Sequence, residues 1–322
     1  MTYVAPRWLR NRHLMTIFGN VARLPRRVAV RRERWELPDG DFVDVDRLAG
    51  ASADAPLVVV CHGLEGSSRA GYVRGLLGDL QARGLAAAAL NFRGCSGEPN
   101  RLPRFYHSGE TGDLAEAVER LAAERPGRRL ALAGFSLGGN VVTKYLGERG
   151  DAVPAAVRAA VVVSVPFDLA GCARALDGPG LAARLYRERF LRKLKPKALA
   201  KSARFAGHLD DARIRGARTL RDFDDAVTAP LHGFATAEEY YARSSSAGFL
   251  AGVRRPLLIL QAADDPFIPE ETLPLAAARA TPWLELELSA GGGHVAFVAG
   301  PPWWPHRFAE RRAAAWLEAK LG

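Results

Sequence analysis

LALAGFSLGGN, residues 130–140, joins a short apolar run to a helix-forming segment through the motif Gly-x-Ser-x-Gly. In this motif the serine sits on a sharp strand-to-helix turn, and a side chain at Gly134 or Gly138 would collide with neighbouring backbone. Ser136 would stand at the carboxyl end of a buried strand and at the start of a helix, whose dipole favours developing negative charge. The motif alone occurs often by chance, so the strand before it and the helix after it make Ser136 a candidate nucleophile.

Short apolar runs alternate with amphipathic, helix-forming segments over most of the chain. Such alternation is typical of βαβ units, in which helices bury a parallel sheet on both faces. Alternating patterns on either side of Pro38-Asp39-Gly40 predict an opening β-hairpin. The predicted strands are 28–37, 41–48, 56–61, 85–90, 130–133, 159–163, 256–261 and 283–288, and the predicted helices are 69–83, 110–124, 137–149, 270–280 and 306–321.

A long stretch without strand patterns interrupts this alternation. Residues 167–249 are charged and helix-forming, and they contain no apolar run of the buried-strand type. A strand-rich core with a helical insertion is typical of a catalytic domain that carries a cap or lid. We therefore predict an α/β core made of residues 1–166 and 250–322, with a mostly parallel sheet of about eight strands and helices on both faces, and a helical cap at 167–249.

Composition and charge fit a soluble globular protein. The 322 residues are 48% hydrophobic and 25% charged, with a net charge of +10. A basic surface can attract nucleic acid or anionic membranes. The arginines are nevertheless spread along the chain, and only residues 187–201 concentrate basic side chains, so we expect no nucleic-acid partner. No run approaches the roughly 18 apolar residues of a membrane span, so any membrane contact would be peripheral.

Cysteine and histidine usage bears on the compartment and the cofactors. Cys61, Cys95 and Cys172 form no Cys-x-x-Cys pair, which predicts neither a disulfide framework nor a zinc site. The first twenty residues lack the apolar core of a signal peptide. These two observations predict a cytoplasmic protein. Since no His-Glu-x-x-His motif or histidine cluster occurs, we also predict that the protein needs no metal or other cofactor.

A second glycine-containing loop follows the predicted strand 56–61. It reads His62-Gly63-Leu64-Glu65-Gly66. A loop at this point, together with the residue after a serine nucleophile, can direct two backbone N–H groups at a developing oxyanion. The predicted donors are the N–H groups of Leu64 and Leu137. We expect His62 to shape the loop through hydrogen bonds.

An acid and a histidine follow the two last predicted strands. After strand 256–261 the chain reads Ala263-Asp264-Asp265-Pro266-Phe267-Ile268-Pro269, and the spacing Asp-x-x-Ile-Pro favours Asp265 over its neighbour Asp264. After strand 283–288, three glycines precede His294 and would let the loop bring the imidazole to the serine. The chain order Ser136, Asp265, His294 is that of the α/β-hydrolase fold and differs from the orders in chymotrypsin-like and subtilisin-like enzymes.

Six longer segments extend these motifs over nearly the whole chain. They are WLRNRHLMTIF from Trp8, HGLEGSSRAGYVRGL from His62, NFRGCSGEPNRLPRFYHSGETGDL from Asn91, GFSLGGNVVTKYLGE from Gly134, DFDDAVTAPLHGF from Asp222 and ADDPFIP from Ala263. In these segments the chain resembles the YheT-like branch of the α/β hydrolases. The resemblance implies hydrolysis of a small-molecule or lipid ester, with the catalytic serine, aspartate and histidine at Ser136, Asp265 and His294.

Two other functions fit the same residues and stay open at this point. An acyltransferase would resolve the same acyl-enzyme with an alcohol in place of water. A non-catalytic binding protein on the same scaffold could use the basic segment 187–201. Arg93 and His107 lie in loops that the resemblance places beside the pocket, and we expect them to brace those loops.

Overall fold

The computed structural model describes residues 3–21 and 27–322. Within these residues the principal strands are β1 Val30–Glu36, β2 Phe42–Leu48, β3 Leu57–Cys61, β4 Ala86–Asn91, β5 Leu130–Phe135, β6 Val157–Val163, β7 Leu257–Ala262 and β8 Leu284–Ser289. They form one sheet in the order β1-β2-β4-β3-β5-β6-β7-β8. The pairs β1–β2 and β2–β4 are antiparallel, and the remaining pairs are parallel.

Helices cover both faces of this sheet. On β3, Val58 and Val60 pack with the helices at 71–81 and 308–321, whereas Leu57, Val59 and Cys61 pack with the helices at 112–124 and 137–149. This alternation explains why the strand reads as a continuous apolar run. The described helices are α1 Arg12–Val21, α2 Gly71–Gln81, α3 Gly112–Glu124, α4 Leu137–Arg149, α5 Leu169–Leu176, α6 Leu181–Arg204, α7 Asp211–Gly216, α8 Leu220–Phe223, α9 Ala229–Leu231, α10 Ala237–Ser244, α11 Leu275–Ala280 and α12 Phe308–Leu321.

Six of these helices, α5 to α10, belong to the segment of chain that connects β6 to β7. They bury an apolar cluster of their own, which includes Leu191, Ile214 and Val227 and which also contacts Phe105 and Phe267 of the loops below. A π-helical turn, Asp224–Thr228, joins α8 to α9. The helical segment therefore has a separate apolar cluster, and it packs against the loops that follow β4 and β7.

The predicted fold class is confirmed, with local differences in the bounds of elements. The predicted helix 270–280 is a short 3-10 turn, Glu270–Thr272, followed by α11, because Pro274 cannot continue a helix begun before it. Helix α1 was not predicted. A two-stranded ribbon, β9 Val298–Ala299 and β10 His306–Arg307, lies just before α12.

Candidate active site

The turn at Ser136 places its hydroxyl at the carboxyl edge of the sheet. Ser136 has φ 51° and ψ −121°, a conformation rare for a residue with a side chain. A Cβ at Gly134 would lie 2.5 Å from the Gly138 oxygen, and one at Gly138 would lie 2.5 Å from the oxygens of Cys61 and His62. The two glycines are thus required by close backbone packing.

His294 lies between Ser136 and Asp265. Its Nε2 is 2.9 Å from Ser136 Oγ, and its Nδ1 is 2.8 Å from Asp265 Oδ2 and 3.1 Å from Oδ1. Because an ionised carboxylate only accepts hydrogen bonds, the imidazole proton sits on Nδ1. The lone pair of Nε2 then faces the serine hydroxyl. The structure brings together all three side chains predicted from the sequence.

The two neighbouring aspartates have different partners. Asp265 Oδ1 also accepts a hydrogen bond from the Phe267 N–H, at 2.9 Å, which fixes the carboxylate below the imidazole. Asp264 Oδ1 accepts the N–H of Gly293, at 2.9 Å. Asp264 therefore holds the loop before His294.

The backbone of the histidine loop is held by residues that sequence reasoning missed. The N–H of His294 donates to Thr16 Oγ1, on α1, at 2.9 Å. The N–H of Val295 donates to Ser164 Oγ at 2.9 Å. Val295 and Ser164 both have positive φ. The N-terminal helix thus contributes directly to the placement of His294. In the sequence, Thr16 is marked only by its place in WLRNRHLMTIF, one of the segments that carry the resemblance.

Two tyrosines hold the loop that carries Leu64. The N–H of Gly63 donates to the Tyr72 hydroxyl at 3.0 Å, and the N–H of Glu65 donates to the Tyr106 hydroxyl at 2.8 Å. The N–H of Leu64 lies between them and that of Leu137 begins α4, and neither makes a hydrogen bond to any described residue. Both groups are therefore available to donate hydrogen bonds to a ligand oxygen.

Buried side chains support the same loop from below. The Glu65 carboxylate accepts a hydrogen bond from Tyr106 at 3.0 Å and pairs with Lys197, on α6, at 2.7 Å. His62 Nδ1 donates to the Gly63 oxygen at 2.7 Å, and its Nε2 accepts the N–H of Phe92 at 3.2 Å. His62 shapes the loop through hydrogen bonds, as its position in the motif indicates.

Tyr106→Phe is expected to lower kcat for an ester substrate about tenfold with KM changed less than twofold. The change removes one hydrogen bond from the Glu65 backbone and one from its carboxylate, so the Leu64 N–H loses its fixed direction. Tyr240→Phe is the matched control, because the Tyr240 hydroxyl makes the same two kinds of bond to Ser108. Equal effects of the two variants on kcat would contradict this positioning role.

Arg93 braces the loops beside the site, as its motif indicates. Its guanidinium binds Asp113 with two hydrogen bonds of 2.7 and 2.9 Å and also reaches Asp39 and Asp41. His107 Nδ1 accepts the Gly109 N–H at 3.1 Å. These contacts join the loop after β4 to the β1–β2 hairpin and to the N-terminus of α3.

Three histidines in and near the site are neutral at pH 7. Burial lowers the pKa of His62 to about 4 and the pKa values of His107 and His232 to about 3. A lowered histidine pKa stabilises the fold above pH 6.5, and this stabilisation is lost as the pH falls towards the lowered value. Burial also raises the pKa of Asp224 to about 6 and, by smaller amounts, the pKa values of Asp113, Asp177 and Asp264; these rises act in the opposite direction and offset part of the effect of the three histidines.

The free energy of unfolding is therefore expected to be at least about 2 kcal/mol smaller at pH 5 than at pH 7, since His62 alone accounts for about 2 kcal/mol. Urea unfolding at the two pH values, followed by tryptophan fluorescence, measures the difference. Equal stability at both pH values would contradict a buried neutral His62.

Two cavities share Leu64 and Glu65 in their walls. The outer cavity, of about 400 Å³, is lined by Ser136, His294 and Phe267 and opens to solvent. The inner cavity, of about 100 Å³, lies under the helices between β6 and β7. Leu64 and Leu137 belong to its wall. The rest of its wall combines apolar side chains, Phe105, Leu194, Leu220, Phe223 and Val227, with polar and charged residues, Glu65, Tyr106, His107, Ser108, Lys197, Asp224, Thr228, His232 and Tyr240.

The described part of the chain holds no group of three or more His, Cys, Asp and Glu side chains placed to bind a metal ion. Its helices include none that is both long and apolar enough to cross a bilayer. Cys61, Cys95 and Cys172 are buried free thiols.

The sheet order and the turn at Ser136 define the class of protein. Residues 56–301 match the alpha/beta hydrolase fold family. A solved esterase, Pf2001 of Pyrococcus furiosus, superposes with a TM-score of 0.58 at 16% identity and covers 92% of each chain, which shows the shared fold. The protein is an α/β hydrolase.

Relatives at higher identity place the chain within this class. It is 38% identical over 323 residues to an Escherichia coli K12 protein named "Putative esterase YheT", covering 99% of this chain and 94% of that one. It is 32% identical to a monoacylglycerol lipase of Saccharomyces cerevisiae, over 85% of this chain and 61% of the relative. The chain belongs to the YheT-like family of α/β hydrolases, whose members include esterase- and lipase-type proteins.

Proposed function

We propose that this protein is a serine hydrolase of carboxylic esters that works through an acyl-enzyme on Ser136. The observation that carries the proposal is the continuous line of hydrogen bonds from Asp265 through His294 to the Ser136 hydroxyl. A neutral imidazole backed by a carboxylate is the arrangement that activates an alcohol for attack on a carbonyl. The esterase and lipase names of the relatives support the same class of reaction.

The proposed reaction has two halves. The Ser136 proton passes to His294 Nε2 as Oγ attacks the ester carbonyl, and the oxyanion accepts hydrogen bonds from the N–H groups of Leu64 and Leu137. His294 then donates that proton to the leaving alcohol. In the second half, His294 takes a proton from water as the water oxygen attacks the acyl carbonyl, and it then returns that proton to Ser136 Oγ as the acid is released. Asp265 keeps the Nδ1 proton in place and stabilises the imidazolium.

An acyltransferase would share the first half of this reaction. The two activities are separated by supplying a p-nitrophenyl ester together with increasing concentrations of a short alcohol. For a hydrolase we expect the free acid to remain the main product at millimolar alcohol. Conversion mainly to the new ester at those concentrations would favour the transferase and contradict the proposed hydrolysis.

We further propose that the acyl group occupies the inner cavity. The leaving oxygen must lie within reach of His294, which lines the outer cavity, so the acyl part of the ester points the other way. Leu64 and Leu137, the proposed oxyanion donors, line the inner cavity. A cavity of about 150 Å³ holds benzene, so 100 Å³ accommodates about four non-hydrogen atoms.

Esters of two- to four-carbon acids are expected to show kcat/KM values at least tenfold above those of twelve-carbon acids. Leu194→Ala, which enlarges the inner cavity, should shift the preferred acyl length upward by about two carbons. Leu199→Ala on the same helix is the control, because Leu199 packs within the helical cluster and does not line the cavity. A series of p-nitrophenyl esters of increasing acyl length measures the preference of the unaltered protein and of both variants. An unchanged preference in Leu194→Ala would contradict the assignment of the inner cavity as the acyl site.

The organisation of the chain follows from the same proposal. We propose that residues 167–249 act as a cap over a catalytic core made of residues 1–166 and 250–322. The separate apolar interior of the helical segment supports this division. We also propose a cytoplasmic location, which three buried free thiols support, since secreted proteins usually pair their cysteines.

A further inference from the structure

Among the described residues, the exposed large hydrophobic side chains are concentrated in three segments. Eight of the nine belong to the N-terminal segment, to the start of α6 or to the loop after β9, and their exposed fractions range from 47% to 82%. The ninth, Trp283, lies just before β8. The eight side chains, called here the docking surface, are Val4, Leu14, Ile17, Val21, Leu181, Leu185, Trp303 and Trp304.

Helix α1 is apolar on two opposite sides. Met15 and Gly19 are buried against the core, whereas Leu14, Ile17 and Val21 form an exposed stripe with the spacing of one helix face. A surface helix normally carries polar residues on the side that faces solvent. A cluster of exposed aliphatic and tryptophan side chains is typical of a binding surface.

Direct contacts join the three segments. His13 Nδ1 on α1 lies 3.2 Å from the Tyr186 hydroxyl on α6. Trp8 donates from Nε1 to the oxygen of Gly300, at 2.9 Å, which ties the N-terminal segment to the loop that carries the exposed tryptophans. Ile17 and Tyr186 also line the outer cavity, so the docking surface continues to its mouth.

Unpaired cations accompany the docking surface. The side chains of Arg7, Arg10, Arg189 and Lys193 are exposed and make no hydrogen bond or ion pair with any described residue. Arg189 and Lys193 line the outer cavity. Exposed aliphatic side chains, interfacial tryptophan and basic groups together match the surface of an anionic bilayer, where apolar insertion and attraction to lipid phosphates act jointly.

We propose that the docking surface binds the protein to anionic phospholipid membranes, with the mouth of the outer cavity turned towards the lipid. A second copy of the chain fits this surface less well, because a symmetric pairing would bring the same cations into opposition. The inference goes beyond the proposed esterase function, since membrane binding needs no reaction at Ser136.

Co-sedimentation with vesicles tests the proposal. The full chain is expected to bind vesicles of phosphatidylglycerol and phosphatidylcholine at least tenfold more tightly than vesicles of phosphatidylcholine alone, and to be released by 0.5 M salt. The double variant Leu14→Ser/Ile17→Ser should bind at least tenfold more weakly. Arg189→Gln/Lys193→Gln should lose most of the preference for phosphatidylglycerol.

Two controls separate this proposal from the catalytic one. Trp283→Ser, which removes an exposed tryptophan outside the docking surface, should bind vesicles as the unaltered chain does, and so should Ser136→Ala. Absence of binding to the anionic vesicles, or equal binding by Leu14→Ser/Ile17→Ser, would overturn the proposal. It would also be overturned if light scattering showed a dimer that Leu14→Ser/Ile17→Ser abolishes while the unaltered chain ignores vesicles.

Discussion

Ser136→Ala is expected to lower kcat for p-nitrophenyl butyrate by about 10⁵- to 10⁶-fold, because the acyl-enzyme cannot form without the hydroxyl. Removal of a serine nucleophile in a triad costs about as much as removal of the whole triad, and the oxyanion donors retain only weak catalysis. The measurement is the steady-state release of p-nitrophenol by purified protein.

The fold should survive this substitution. Alanine keeps the Cβ, and the Ser136 N–H still donates to the Val163 oxygen at the end of β6. Unfolding in urea should therefore occur within about 1 kcal/mol of the unaltered protein. A kcat reduced less than a hundredfold, in a variant that is folded and free of contaminating esterase, would remove Ser136 as the nucleophile.

Asp265→Asn is expected to lower kcat about 10⁴-fold, whereas Asp264→Asn should lower it less than tenfold. The asparagine at 265 can donate to His294 Nδ1, which moves the imidazole proton to Nε2 and leaves no base facing the serine. At 264 the amide oxygen of asparagine can still accept the Gly293 N–H, so the histidine loop keeps its position.

This pair of variants is its own matched control, since both change one carboxylate to an amide at adjacent positions. The dependence of kcat/KM on pH adds a second readout, because only the change at 265 alters the protonation of His294. A larger loss of kcat in Asp264→Asn than in Asp265→Asn would reverse the assignment of the acid.

The strands and the serine turn could be predicted because their causes are local. Each parallel strand is buried on both faces and is therefore continuously apolar, as Leu57–Cys61 and Leu130–Phe135 are. The space at Gly134 and Gly138 is limited by backbone, so glycine is required there whatever surrounds the turn. The proximity of Ser136, Asp265 and His294 followed from their positions after strands of one sheet.

The remaining parts of the site depend on contacts between distant segments, which periodicity does not report. Thr16 meets the backbone of His294 across 278 positions of sequence, and no local pattern around Thr16 indicates that partner. Tyr106 supports the Leu64 loop from a different loop. The inner cavity needs α6 and the π-helical turn to lie over Leu137, and helical spacing alone does not distinguish apolar residues that pack from those that line a cavity.

The same limit applied to the helical insertion. Leu181, Leu185, Tyr186, Phe190 and Leu191 form one apolar series in sequence, yet they have three different surroundings. Leu191 is buried in the helical cluster, Tyr186 and Phe190 line the outer cavity, and Leu181 and Leu185 face solvent. A helical spacing predicts which residues share a face but not which neighbour that face meets.

Labelling with a fluorophosphonate tests whether Ser136 is an activated nucleophile, because this reagent phosphonylates only a serine activated by a neighbouring base. We expect one adduct per chain, located on Ser136 by peptide mass spectrometry, and loss of esterase activity in proportion to labelling. His294→Ala should abolish the labelling, since no other base lies at hydrogen-bond distance from Ser136 Oγ among the described residues. An unlabelled chain, or an adduct on a different serine, would contradict the assignment of Ser136 as the nucleophile.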